Sequence, residues 1–367
     1  MLLMFDVKQN KAICVLPWVH EFKKISGKSA PCCYTNDNFK NNETIHQVRE
    51  LMSKGVKPTI CNVCYKQEEV SDWSPRIQET TDWLKKFGTP DIDNPILESI
   101  DLRYDPTCNL KCKMCGPHSS TLWQKETGDK VVVNEDNKDY IFSVDKKLLK
   151  KVYLAGGEPT YIKDYLEFLN ALYLVNPSCE VVINTNLKKI PDDWREIIKK
   201  FKNLTIICSC DATGLLGTYV RYPLWWDEFE DNVKFASSNA NFFQFNLVAY
   251  NLTAHKIYET CTWMKKYSNN INLTILTEPK IFSEYAVPIP QRDVYIKNLR
   301  KIEKFPISIY YAARFRNEVK RLITKYSTSG YVPGLHRKLQ QELTEQDSHR
   351  TLNLREVDTF LHSWINA

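Results

Sequence analysis

From residue 97 to residue 290 the hydrophobic pattern switches repeatedly between a period of two and a period near 3.6. Short apolar runs predict strands over 98–104, 150–155, 179–185, 203–210, 242–250 and 271–276. Helical spacing predicts helices near 118–127, 162–174, 190–201, 226–238 and 254–267. In the second of these, Tyr165, Phe168, Leu169 and Leu172 share one face. Six strands alternating with helices predict an α/β protein with a parallel sheet and βα crossovers. The polar stretch from Thr127 to Val144 reads as a loop inserted before the second strand. Residues 1–75 are rich in cysteine, and Pro17, Pro31 and Pro58 break any long helix there. Residues 291–367 read mainly helical. Phe315, Val319, Leu322, Ile323 and Tyr326 form an apolar face, Pro333-Gly334 punctuates the chain, and two further helical stretches follow.

Composition narrows the class. With 43% hydrophobic and 26% charged residues, the 367-residue chain is neither collagen-like nor disordered. No apolar run reaches the roughly 18 residues a membrane span needs. The opening Met1-Leu2-Leu3-Met4-Phe5-Asp6 lacks the basic region of a signal peptide, so a cytoplasmic location is expected. Fourteen basic against eight acidic side chains in residues 291–367 hold the whole +6 charge. That segment is either a solvated helical surface or a face for an acidic partner.

Twelve cysteines in a reducing compartment read as ligands, catalytic groups or small hydrophobes rather than disulfides. Cys108, Cys112 and Cys115 follow the first strand in a C-x3-C-x2-C pattern. Three thiolates so close can wrap a zinc ion with a remote fourth ligand such as His118, or an iron–sulfur cluster with one iron left open. The second strand ends in Gly156-Gly157-Glu158, where glycines allow close backbone approach and a carboxylate can accept from an amino group.

Together these motifs resemble the radical S-adenosylmethionine (radical SAM) superfamily. The resemblance implies a partial (β/α)6 TIM-type barrel over residues 97–290, with Cys108, Cys112 and Cys115 holding a 4Fe-4S cluster whose open iron chelates SAM. It implies that Gly156, Gly157 and Glu158 meet the SAM amino group. Asn184 and Asn186, at the end of the third strand, fall where the family often contacts the ribose. Ser209 and Asp211 match a Ser-x-Asp strand end, and Arg221 in Tyr219-Val220-Arg221 matches an arginine that often pairs with the SAM carboxylate. If Ser209 and Asp211 point into the barrel, Cys208 and Cys210 point out as packing residues. Met114 stands where the family commonly has an aromatic residue.

Cys14 and Cys32 flank Gly27 in a C-x12-G-x4-C unit, and Cys61 and Cys64 add a C-x2-C pair. With Leu16-Pro17-Trp18, Pro31-Cys32-Cys33-Tyr34 and Cys64-Tyr65, this resembles twitch (SPASM-like) domain-containing radical SAM proteins. It implies a small N-terminal twitch-like domain over 1–75, with Cys14, Cys32, Cys61 and Cys64 around a second, auxiliary 4Fe-4S cluster. Cys33 is an alternative to Cys32, and a zinc ribbon is the alternative to the cluster. Characterised domains of this kind commonly follow the barrel, whereas here the unit precedes it. A mainly helical, basic extension over 291–367 completes the arrangement.

The implied chemistry is reductive cleavage of SAM to methionine and a 5′-deoxyadenosyl radical, which abstracts hydrogen from a substrate. An electron donor such as a flavodoxin or ferredoxin is an implied partner. The substrate expected from SPASM and twitch relatives is a peptide or protein side chain. A nucleotide-derived or other small metabolite is the alternative. A third reading is a non-catalytic metal-binding module whose basic segment contacts nucleic acid, but no nucleic-acid motif occurs in that segment. On the strands, Asp101 and Arg103 share one face, as do Gln244, Asn246 and Tyr250. These are candidates for the substrate or for an internal polar network. No phosphate-loop motif occurs, and none of the seven histidines stands in an H-E-x-x-H arrangement.

Overall fold

The computed structural model describes residues 5–35 and 44–366. Met1 to Met4 of the opening stretch lie outside them. The fold is α/β with mostly parallel strands. Contacts divide the chain into two compact units. The first comprises residues 1–106, 132–183 and 200–203, and the second 107–131, 184–199 and 204–367.

The first unit contains β1 (His20–Lys24), β2 (Ser29–Ala30), β3 (Ser99–Arg103), β4 (Lys151–Leu154) and most of β5 (Glu180–Thr185), in the order β2-β1-β3-β4-β5. All neighbours run parallel except β1 and β2. Ile100, Leu102, Val152, Leu154, Val181 and Ile183 are buried on one face. The helix Lys163–Val175 buries Tyr165, Phe168, Leu169 and Leu172, the stripe its spacing predicts. Burial of each such side chain stabilises by about 1.5–3 kcal/mol. The other face is polar. The register sets His20 beside Ser99 and Lys151, and Phe22 beside Asp101 and Tyr153.

A second core lies under the N-terminal segment, where Ile13, Val15, Trp18, Val48, Met52, Ile60 and Trp83 pack together. The helix Pro75–Phe87 supplies Trp83. It starts with proline behind a Ser74 cap that accepts from the Ile77 amide at 3.2 Å.

The second unit contains β6 (Leu204–Ser209), β7 (Phe242–Ala249) and β8 (Ile271–Ile275), parallel and in that order. Phe243, Phe245 and Leu247 are buried on one face of β7. Phe245 lies 5.7 Å from Trp263 of the helix Ile257–Met264, and Trp263 lies 4.9 Å from Trp226 of the helix Trp226–Asn239. The C-terminal helices are Arg292–Ile302, Ile309–Thr328, Pro333–Ser348, Leu354–Val357 and Thr359–Ile365. The helix Ile309–Thr328 buries Phe315, Val319, Leu322 and Tyr326, while Ile323 is half-buried.

All six strand expectations correspond to β3 through β8. Two expectations change. The stretch Thr127 to Val144 is not simply an inserted loop, because it contains the helix Asp136–Ser143. That helix has little apolar periodicity of its own. It is anchored by buried Ile141 and by Asn137 Nδ2, which donates to Lys24 O at 3.3 Å and Ile25 O at 3.0 Å. The N-terminal segment also supplies two strands, β1 and β2, that its pattern does not signal. Among the described residues no helix is long and apolar enough to cross a membrane.

Candidate functional site

In the second unit the loop Cys108–Cys115 is held from several directions. Lys111 N donates to Tyr222 O at 2.7 Å and Lys113 N to Val220 O at 2.8 Å. Trp123 Nε1 donates to Cys112 O at 3.0 Å, and Ser120 Oγ to Leu110 O at 2.5 Å. Asn186 Nδ2 donates to Asn109 Oδ1 at 2.8 Å and stands 3.9 Å from Cys108 Sγ. The backbone bends sharply after it, with Leu187 at φ 50°, a left-handed conformation that costs a non-glycine residue energy.

Cys112 is buried, and Cys108 and Cys115 are half-buried. Burial pushes the Cys112 thiol up, and the guanidinium of Arg221 acts in the opposite direction. Arg221 Nε pairs with Asp211 Oδ2 at 2.8 Å, both nearly out of solvent. Asp211 Oδ1 also accepts from Val248 N at 3.0 Å. Ser209 Oγ donates to Asn184 Oδ1 at 3.4 Å. Cys208 and Cys210 are fully buried, and Cys210 Sγ lies 3.4 Å from Ala212 O. The buried donors without a hydrogen-bond partner include Asn109 Nδ2 in the loop and the hydroxyl of Tyr250, which lies in the electrostatic neighbourhood of Asp211, Arg221 and Cys112. A buried donor without an acceptor is unfavourable unless a bound group supplies one.

A second ring of contacts comes from the C-terminal helices. The Lys113 ammonium, with no side-chain exposure, pairs with Asp347 at 2.8 Å. Asp347 also accepts from Tyr219 Oη at 3.1 Å and Leu354 N at 3.0 Å. Arg350 pairs with Glu126 at 3.1 Å and lies over Trp123 at 5.1 Å, and Lys111 also pairs with Glu126. Burial, with Arg350 nearby, brings the Lys113 ammonium down to about 8 despite Asp347. Spacing within the sequence could not reveal these partners, because Lys113 and Asp347 are 234 residues apart.

Gly156, Gly157 and Glu158 belong to the first unit. Gly156 has φ 114°, and a Cβ on it would meet Asp105 O at 2.9 Å. Gly157 N donates to the same carbonyl at 2.9 Å. Glu158 is buried, with Oε1 accepting from Thr160 Oγ1 at 2.9 Å and Thr160 N at 3.2 Å. The two glycines thus let this turn fold back on the segment after β3.

Cys14, Cys32, Cys61 and Cys64, also in the first unit, line one small cavity together with Tyr34 and Arg76. Burial raises the Cys14, Cys32 and Cys64 thiols. Arg76 is held by Glu68 at 2.8 and 2.7 Å and by the Ile13 carbonyl. The sequence offered no signal for Arg76 at this place. Cys33 does not line that cavity. It lies in the field of Arg103, Asp101 and Glu79. Arg103 in turn grips Asp101 through two bonds of 2.9 and 2.8 Å. No cysteine is disulfide-bonded, and among the described residues no three Cys, His, Asp or Glu side chains are gathered closely enough to hold a metal ion.

The motif order, the strand ends and the held cysteine loop all lie within or beside residues 104–213, which match the model of the Radical SAM superfamily. The chain carries a radical SAM domain. Radical SAM domains are catalytic and work with a 4Fe-4S cluster and SAM. Cys108, Cys112, Cys115, Asn184, Asn186, Ser209 and Asp211 fall inside the matched span, as do Gly156, Gly157 and Glu158. Arg221 and the Asp347 and Arg350 contacts lie beyond it.

The chain is also similar to the GTP 3′,8-cyclase of Helicobacter pylori (strain ATCC 700392 / 26695), 26% identical over 108 residues. That match covers 29% of this chain and 33% of the cyclase, so the chain spans about a third of this relative's length. Among solved structures, anSMEcpe with bound AdoMet aligns with a TM-score of 0.42 and 18% identity, over 56% of this chain and 59% of that one. Streptococcus suis SuiB aligns with a TM-score of 0.41 and 16% identity, over 70% of this chain and 61% of SuiB.

Proposed function

We propose that this protein is a radical SAM enzyme that abstracts hydrogen from a peptide or protein side chain. The observation that carries the reading is the C-x3-C-x2-C loop, fixed by its backbone and set beside the buried Asp211–Arg221 pair. When bound, a 4Fe-4S cluster supplies one electron to the sulfonium of SAM, releasing methionine and a 5′-deoxyadenosyl radical. The protein does the rest. Cys108, Cys112 and Cys115 would hold three irons, and Arg221 would meet the SAM carboxylate by paired hydrogen bonds. Gly156, Gly157 and Glu158 would receive the amino group, while Asn184, Asn186, Ser209 and Asp211 would order the rest of the cofactor. The unpartnered Asn109 and Tyr250 donors fit a site completed by an acceptor-bearing group. A reduced flavodoxin or ferredoxin would deliver the electron, in the cytoplasm.

Cys14, Cys32, Cys61 and Cys64 would hold an auxiliary 4Fe-4S cluster in a twitch-like domain over residues 1–75, joined to a barrel over 97–290 and a helical extension over 291–367. Support comes from their shared cavity, with Arg76 offering a positive charge to an anionic cluster. Cys33 lies elsewhere, which favours Cys32 as the ligand. The peptide assignment rests on the twitch-like cysteine pattern. A nucleotide-derived substrate is the second reading, favoured by the likeness to the GTP 3′,8-cyclase.

The nucleic-acid reading is disfavoured because several basic side chains of 291–367 serve the fold. Arg292 donates to the carbonyls of Val287 and Glu284, each at 2.9 Å, and Lys325 pairs with Glu284 at 2.8 Å.

The test is anaerobic reconstitution with iron and sulfide, then SAM and dithionite. About eight irons per chain and release of 5′-deoxyadenosine are expected, and Cys112→Ala abolishes that release. About four irons with release leaves only the barrel cluster. Tightly bound zinc without SAM cleavage overturns the enzyme reading.

A further inference from the structure

One polar row on the strands of the second unit begins at Ser209 and continues through residues the chemistry above does not use. Ser209, Asn246 and Asn272 are direct register partners across β6, β7 and β8. They occupy the face of β7 opposite Phe243, Phe245 and Leu247, which pack toward the tryptophan-bearing helices. Gln244 lies one step along the same face.

The bonds within the row tie the amide orientations to one another. Asn246 Oδ1 accepts from Gln244 Nε2 at 2.9 Å and from Asn272 Nδ2 at 3.0 Å, which uses both of its lone pairs. Gln244 Oε1 accepts from Tyr311 Oη. Two complementary groups are left over. Asn272 Oδ1 is buried with no donor, and Asn246 Nδ2, on a half-buried side chain, stays open to solvent and so to a ligand. One free donor and one unpaired acceptor therefore stand on register partners of neighbouring strands, whose backbones run about 4.8 Å apart. A carboxylate or phosphate would satisfy the donor but face the Asn272 oxygen with a second negative oxygen. A planar amide, carrying N–H beside C=O, satisfies both.

We propose that Asn246 and Asn272 form a subsite for an uncharged amide group of the substrate, from a peptide main chain or from the amide edge of a nucleobase. The inference rests on the radical SAM reading and narrows its substrate. Asn246 Nδ2 donates to the ligand carbonyl, and Asn272 Oδ1 accepts from the ligand N–H. Gln244 and Tyr311 are positioning residues that keep the Asn246 amide from flipping.

The experiment uses the full chain, reconstituted anaerobically, and measures binding of two probes by saturation-transfer NMR and calorimetry. The probes are N-acetyl-glycyl-glycinamide and guanosine. At least one should bind the wild type saturably, and Asn272→Leu should weaken it about tenfold or more, the scale of a buried polar group left unpaired. Binding of the peptide probe alone assigns a peptide source, and of guanosine alone a nucleobase. Asn246→Asp keeps the Oδ1 acceptor for Gln244 and Asn272 while removing the Nδ2 donor. It carries the same expectation should Asn272→Leu not fold. Three results overturn the proposal: neither probe binds, a folded variant binds as the wild type does, or SAM affinity falls in step with probe affinity, which would give the row to the cofactor's adenine. Release of 5′-deoxyadenosine by the wild type is scored separately, so failure of the radical reading and failure of this subsite appear in different readouts.

Discussion

Gly156 and His20 show how single residues on the strands are constrained. At φ 114°, and with a carbonyl 2.9 Å from where a Cβ would stand, position 156 tolerates no side chain. Gly156→Ala should lower stability by about 1–3 kcal/mol, read by thermal unfolding, and should weaken SAM binding measured by calorimetry. His20 is held neutral by burial and by the Lys151 and Arg103 charges, its affinity for a proton falling to about 3. Its Nδ1 lies 2.8 Å from Ser99 Oγ. The unfolded chain binds that proton near the ordinary 6.5, so between 6.5 and about 3 the unfolded state takes up more protons. Stability should therefore decline as pH falls through that window. Urea unfolding should show a shallower decline for His20→Gln than for the wild type, and equal slopes would refute the assignment. The cysteine, glycine and arginine motifs stand out in the sequence because their residue types recur at short spacing. The separation of Cys33 from Cys32 does not, because adjacent positions carry no record of which way each thiol turns.

Among elements, β3 through β8 could be read from the sequence because each buries an apolar face against helices. β1 could not. His20-Glu21-Phe22-Lys23-Lys24 offers one buried apolar residue, and its strand conformation comes from pairing with β3 along its whole length. The helix Asp136–Ser143 was missed for a similar reason, since its anchor is a side-chain amide on a distant carbonyl. The cysteine loop depends on the helix Pro333–Ser348 through the Lys113–Asp347 pair. Removing one partner of a buried pair strands the other charge, at about 3–5 kcal/mol. Asp347→Ala should accordingly destabilise the protein and reduce iron retained after gel filtration. Lys113→Met combined with Asp347→Leu should recover most of the lost stability, because no charge is then left buried. A double variant no more stable than Asp347→Ala would argue against a buried charge as the cause.

At the scale of the whole chain, the +6 charge that stood out in the C-terminal segment is partly consumed by the fold. Arg292, Lys325 and Arg350 are engaged with carbonyls or carboxylates, so a basic sequence does not amount to a basic surface. The same segment reaches back to residues made much earlier. On the ribosome, the Cys108–Cys115 loop emerges 234 residues of synthesis before Asp347 becomes available to Lys113. Through that interval the loop lacks its counter-ion and one wall of its support. The order of synthesis therefore argues for metal loading after the segment bearing Asp347 has been made, with assembly factors acting on a chain that already carries it.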